Sequence, residues 1–195
     1  MCHIKINAHV NNVLVSRSET YLPCQYLPNT LTINVYVIDN PRQIIEKYST
    51  QSHMLENFLT CLYDEETIVQ VLPLSDICYY YNQNRQLIAE YQHSIKALLI
   101  LYAIVNYLNS RGRLEALCRC LNVEQCNVVN MVNLLFIRER TMLHDFMTML
   151  ETELELTPDE YVELSQLWSN LDHMVEDIAT ISIAPIYETL QVVCR

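Results

Sequence analysis

Two alternating runs open the chain. Ile4, Ile6, Ala8 and Val10 are separated by His3, Lys5, Asn7 and His9, and Leu31, Ile33, Val35 and Val37 by Thr30, Thr32, Asn34 and Tyr36. A period of two places one set on each face of a strand, so both runs predict half-buried β-strands. Asn11-Asn12 predicts a tight turn after the first, because asparagine tolerates positive φ, and Val13 to Arg17 returns as a second strand. A loop with Pro23 and Pro28 leads to the third. Thr67 to Leu72 predicts a fourth, ended by Pro73. Between the last two lies a predicted helix. Asn40 caps it, Pro41 suits its first turn, Gln43 sits where a capping box needs it, and Ile44, Ile45, Tyr48, Leu55, Phe58, Leu59 and Leu62 make its buried stripe. Strands with one polar face predict an antiparallel sheet packed on one side. Cys78-Tyr79-Tyr80-Tyr81 then reads as an aromatic cluster in or near a loop.

From about Gln83 the period changes to that of a helix. His93 to Arg113 is the most apolar stretch of the chain, and between Ala97 and Leu108 only Asn106 interrupts it. Leu98, Leu99, Tyr102 and Val105 mark one side, while Ile100, Leu101 and Ile104 make the opposite side apolar too. The run is shorter than the roughly 20 residues a membrane span requires, and Arg111 and Arg113 close it. A helix apolar all round predicts the buried centre of a bundle. Gly112 breaks it. Leu114, Leu117, Cys118 and Leu121 predict a short second helix, and Val128 to Leu150 a third, bent near Arg138 to Arg140. Thr157 caps a fourth, with Pro158 at its first position and Glu160 closing the capping box. Tyr161, Leu164, Trp168, Leu171, Val175 and Ile178 form its buried stripe; Asp159, Glu163, Asp172, Glu176 and Asp177 line its back. A last short segment starts at Pro185. The expected fold is α+β: a small antiparallel N-terminal sheet with one helix over residues 1–82, then a helical bundle around a central apolar helix over 83–195, packed as one compact unit.

Composition narrows function mainly by exclusion. The formal net charge is −11, from 23 acidic and 12 basic residues. That balance opposes binding to nucleic-acid phosphates, which reward Lys and Arg with counterion release, and opposes an anionic membrane surface. Gly112 is the single glycine. Phosphate-cradling loops require several, so nucleotide-binding motifs are excluded. Turns must therefore rely on Asn, Asp, Ser and the six prolines. Lys5, Lys47 and Lys96 are the only lysines; the scarcity reads as compositional drift or as selection against ubiquitin acceptors. Extremes of this kind are in the style of viral accessory proteins acting on host proteins. Eight cysteines follow no leader peptide, and several fall on apolar helix faces, so reduced thiols in an intracellular protein are expected, in the cytoplasm rather than the nucleus.

No cluster carries recognisable chemistry. Cys118, Cys120 and Cys126 lack the second ligand pair of a structural zinc site. His144-Asp145 could be part of a nucleophilic triad only with a partner brought to it in space. No catalytic residue, metal site or cofactor is therefore assigned. Asn109 to Arg113 and Thr189 to Cys194 each resemble a known signature over a handful of residues, and no family is assigned on them. The expected function is a non-catalytic intracellular adaptor or inhibitor that binds another protein; the alternative is a structural or assembly subunit working as a homo-oligomer. The candidate partner surface combines Tyr79, Tyr80 and Tyr81 with the acidic back of the last long helix, Glu163, Asp172 and Glu176.

Overall fold

The computed structural model describes residues 1–11, 13–39, 67–82, 87–123, 127–135, 142–174 and 186–194. Four strands, β1 (Cys2–Val10), β2 (Val13–Leu22), β3 (Thr30–Ile38) and β4 (Thr67–Pro73), form one sheet in the order β2-β1-β3-β4. Only β1 and β2 pair antiparallel; β1 with β3 and β3 with β4 run parallel. The antiparallel expectation is corrected to a mixed sheet. Alternation fixes which residues share a face, and it says nothing of the direction of the neighbouring strand. After β2 the loop with Pro23 and Pro28 carries the chain past β1 to its other side, where β3 runs in the same direction as β1.

Burial follows from that topology. Cys2, Ile4, Ile6, Ala8 and Val10 are buried on one face of β1. The inner strand β3 is covered on both faces, Thr32 and Asn34 included, as is usual where parallel pairing predominates. Its buried asparagine is satisfied, since Asn34 Oδ1 accepts from Asn7 Nδ2 at 3.0 Å. His9 donates to the Val35 carbonyl and stacks on Tyr36 at 4.5 Å between ring centres. His3 bonds Glu19 at 2.8 Å and stacks on Tyr21 at 4.7 Å. The polar face is a laced, half-buried layer. The helix expected after Asn40 lies outside the described residues.

The helices are α1 (Leu74–Asn82), α2 (Leu87–Ser110), α3 (Leu114–Cys120), α4 (Val128–Asn133), α5 (Leu143–Glu153), α6 (Pro158–Met174) and α7 (Ile186–Val193). With the sheet they make an α+β structure. Every residue of α2 from Leu98 to Leu108 is buried except Asn106. Asn106 donates to the carbonyl of Tyr26 at 2.8 Å, so the one polar interruption of the apolar run anchors the β2–β3 loop. Among the described residues no helix is long and apolar enough to cross a membrane. The buried side chains of sheet and helices form one continuous cluster.

Helix ends show how a chain with one glycine turns. Gly112 has φ of +69°, Arg113 N donates to the Leu108 carbonyl at 2.8 Å, and Gly112 N to that of Asn109 at 3.1 Å. These are the paired bonds of a Schellman cap. Asn122 (φ 53°) ends α3 the same way, with Val123 N donating to Cys118 O, and Glu155 (φ 47°) follows α5. Asn11, at φ 48°, makes the expected β1–β2 turn.

Three expectations are corrected. Cys78 to Tyr81 lie on α1, because a helix starts directly after Pro73. The single bent helix expected over Val128 to Leu150 contains two separate helices, α4 and α5, and α5 begins anew after Met142, whose backbone is extended (φ −76°, ψ 146°). Not all thiols are free: Cys78 and Cys194 form a disulfide that ties α1 to α7 across 116 residues of sequence. Cys118 is also disulfide-bonded, whereas Cys24 and Cys120 are free. Proximity between elements so far apart in sequence leaves no periodic trace.

Nothing lies within 4 Å of a Cβ built on Gly112, so only its backbone conformation resists substitution. Gly112→Ala should lower stability by about 1 kcal/mol and Gly112→Asn by less, measured by urea unfolding. An unchanged midpoint in Gly112→Ala would show that the α2 cap tolerates an ordinary residue.

Candidate functional site

Helix α6 starts as its sequence dictates. Thr157 Oγ1 accepts from the Glu160 backbone N–H at 3.2 Å, which is half of the expected capping box. The Glu160 carboxylate turns elsewhere, to Arg113 Nη2 at 3.0 Å, and Arg113 Nη1 donates to the Leu154 carbonyl at 3.1 Å. Arg111 Nη2 and the Tyr107 hydroxyl both donate to Glu163 Oε2, at 2.6 and 2.7 Å. Farther along, Lys96 Nζ lies 2.9 Å from Asp172 Oδ1. Burial and the neighbouring Glu163 carboxylate push the Tyr107 hydroxyl up to about 12. The bond from Tyr107, then that from Arg111, holds the Glu163 carboxyl below the usual carboxylate range.

These pairs redraw the expected partner surface. Glu163 and Asp172 are engaged by α2 and the turn after it, and Glu176 lies outside the described residues. Tyr79 is exposed on α1, Tyr81 is half-buried against the core, and the side chain of Tyr80 lies outside the described residues. Successive helical residues point about 100° apart, so the run offers no shared face. Cys118 is buried and bonded, Cys120 is an exposed free thiol, and Cys126 lies outside the described residues. Among the described residues no three His, Cys, Asp or Glu side chains gather as a metal site requires.

Two surface clefts flank α6. One, of about 430 Å³, separates it from the β2–β3 loop and is lined by Cys24, Tyr26, Arg111, Glu163, Gln166 and Asn170, among others. Burial pushes the Cys24 thiol up, which suppresses its thiolate, and Arg111 and Glu163 satisfy each other. This cleft mixes polar and apolar side chains, and its charged pair is internally neutral.

The other cleft, of about 410 Å³, lies between α5 and α6. The short turn around Glu155 brings the two helices back alongside each other, but their backbones do not close together as those of α2 and α6 do. Met147 and Trp168 form its apolar floor, with Tyr161 at one side. His144, Thr148 and Glu151 from α5 face Ser165, Ser169 and Asp172 from α6. His144 with Asp145 thus sits at the mouth of a groove, exposed, with no cysteine among the groove's lining residues. No protein-family model, curated protein or solved structure matches this chain. Its function must be read from this geometry.

Sequence reasoning assigned Trp168 to a buried stripe and overlooked the groove. The available signal was the spacing His144, Met147, Thr148, Glu151 on one helix and Tyr161, Ser165, Trp168, Asp172 on the next. Each is a single helical face carrying apolar and polar residues together.

The Glu163 cluster generates a pH prediction. A carboxyl whose folded-state value is depressed contributes stability above its unfolded value and loses it as pH falls through the lower folded one. Glu163→Gln should therefore flatten the acid limb of a melting-temperature profile over that range and should lower the pH at which Tyr107 ionises. An acid limb identical to that of wild type would show that Glu163 is not bonded as described.

Proposed function

We propose that the chain is a non-catalytic protein-binding adaptor or inhibitor, and that the groove between α5 and α6 is its binding surface. The observation that carries this reading is an open cleft between two helices that holds the half-buried Trp168 with the exposed Tyr161 beside it. Tyr161, which lines the groove, is 41% exposed. Tyrosine, tryptophan and methionine are the residues enriched where proteins meet. The helices, read as a bundle gathered on α2, hold this surface rigid, since α6 is pinned to α2 at several points.

Filling the groove tests the reading. Ser165 and Ser169 are exposed groove residues, so Ser165→Tyr with Ser169→Tyr should occupy the space with little change in stability. Proteins co-purified and quantified by mass spectrometry with wild type should be depleted at least several-fold with the filled variant. An identical set would place any binding surface elsewhere.

The cytoplasmic setting belongs to the same proposal, and the disulfide makes it testable. Disulfides persist in oxidising compartments and are rare in the cytosol. The Cys78–Cys194 bond weighs against that setting, and protein trapped with an alkylating agent at lysis should show both cysteines protected from the label. Label on both would keep the protein in the cytoplasm and overturn the pairing.

A further inference from the structure

We propose that the occupant of the α5–α6 groove is a basic amphipathic helix of another protein. The inference rests on the groove being the binding surface, and it adds the chemistry of the partner. Shape supplies the first argument. The lining runs from His144 to Glu151 on α5 and from Tyr161 to Asp172 on α6. At ~1.5 Å per residue these walls are about 10 and about 16 Å long. That suits two to three turns of a helix laid between them, reading the groove through anchors spaced three and four apart.

Charge supplies the second. From residue 142 to 174 the chain has no lysine or arginine. Of its carboxylates, Glu160, Glu163 and Asp172 are bonded to Arg113, Arg111 and Lys96. The remaining five, Asp145, Glu151, Glu153, Glu155 and Asp159, are all exposed. Cations from α2 and its turn neutralise the inner side of α6, so the outward field of the α5–α6 pair is negative. Glu151 carries that charge into the groove itself, and a hairpin whose unpaired charges are all acidic is complementary to a helix with one apolar stripe flanked by lysine or arginine.

The same charge opposes a two-fold dimer of this chain through the site. A two-fold dimer would place the patch on itself and oppose acid with acid. Acidic peptides and nucleic-acid phosphates are disfavoured on the same ground.

The chain's single tryptophan, Trp168, stands in the groove and reports its occupancy. The probe is a short amphipathic peptide of leucine and lysine, titrated into the intact protein while Trp168 emission is followed. Its comparators are the glutamate-for-lysine analogue and a scrambled leucine–lysine peptide with the same charge but no stripe. The expected result is a saturable blue shift with the striped basic peptide alone. High salt should weaken it, and Glu151→Lys with Glu155→Lys should weaken it by roughly tenfold, as reversal of two exposed attractions would. Both positions are exposed, and if that variant does not fold, the salt dependence of wild type decides.

Equal binding of the glutamate analogue, or of the scrambled peptide, overturns the inference. So does the absence of a shift with any peptide. Those outcomes leave the groove itself to be judged by the filled variant in co-purification. A partner lost on filling the groove, with no preference for basic helices, would sink the partner chemistry and keep the site.

Discussion

A helix buried on all sides can carry charge only near its ends, and in this protein that restriction on α2 organises what surrounds it. Lys96 precedes the fully buried stretch, and Arg111 and Arg113 follow it. Each reaches a carboxylate of α6, in reverse order along the chain: Asp172, Glu163 and Glu160. The two helices are thereby set antiparallel in one register. Exposed ion pairs contribute only ~0–1 kcal/mol each, so the burial of Leu164 and Leu171 supplies the larger share of the attachment. The pairs choose among the ways in which apolar stripes could meet. Tyr107 strengthens that choice, because its hydroxyl is satisfied by the carboxylate that Arg111 also binds.

Arg113 extends this control to α5. One nitrogen of its guanidinium holds Glu160 in the first turn of α6, and the other holds the Leu154 carbonyl at the end of α5. The same arginine follows Gly112 in the Schellman cap. The single glycine therefore ends the buried helix and aims the group that fixes the α5–α6 turn. Glu155, at positive φ, completes that turn without a glycine of its own. With the hairpin pinned at this end, the two helices are free to stand apart along their length, and the groove is the space between them.

Local chemistry made much of this legible. Thr157-Pro158 marked the start of α6, Gly112 the end of α2, and alternation marked β1 and β3 to the residue or nearly so. Three kinds of feature were not. Strand direction was misread because alternation is the same in parallel and antiparallel neighbours. The Cys78–Cys194 pairing and the Asn106–Tyr26 bond join segments far apart in sequence, and a chain read locally has no term for them. The acids of α6 were identified as a face, but whether that face meets solvent or Arg111 depends on where α2 lies. At Glu163 and Asp172 that face meets cations of α2 and the turn after it, which the spacing alone does not reveal.

That pairing also bears on the charge around the groove. If the α6 acids had faced outward, as their spacing suggested, they would have been one more hydrated helix surface. Since Glu160, Glu163 and Asp172 are bonded to cations from α2 and the turn after it, they add little to the external field. Among the described residues of the hairpin, Asp145, Glu151, Glu153, Glu155 and Asp159 carry the unpaired charge. It falls on a cleft whose floor is Met147 and Trp168 and whose serines, Ser165 and Ser169, are small enough to leave room above α6. In the proposed complex, apolar contact there supplies affinity for an amphipathic helix, and the surrounding charge discriminates among such helices. Pairing three acids of α6 with cations is thus what leaves the hairpin's unpaired carboxylates to set one sign of charge beside the cleft that holds Trp168.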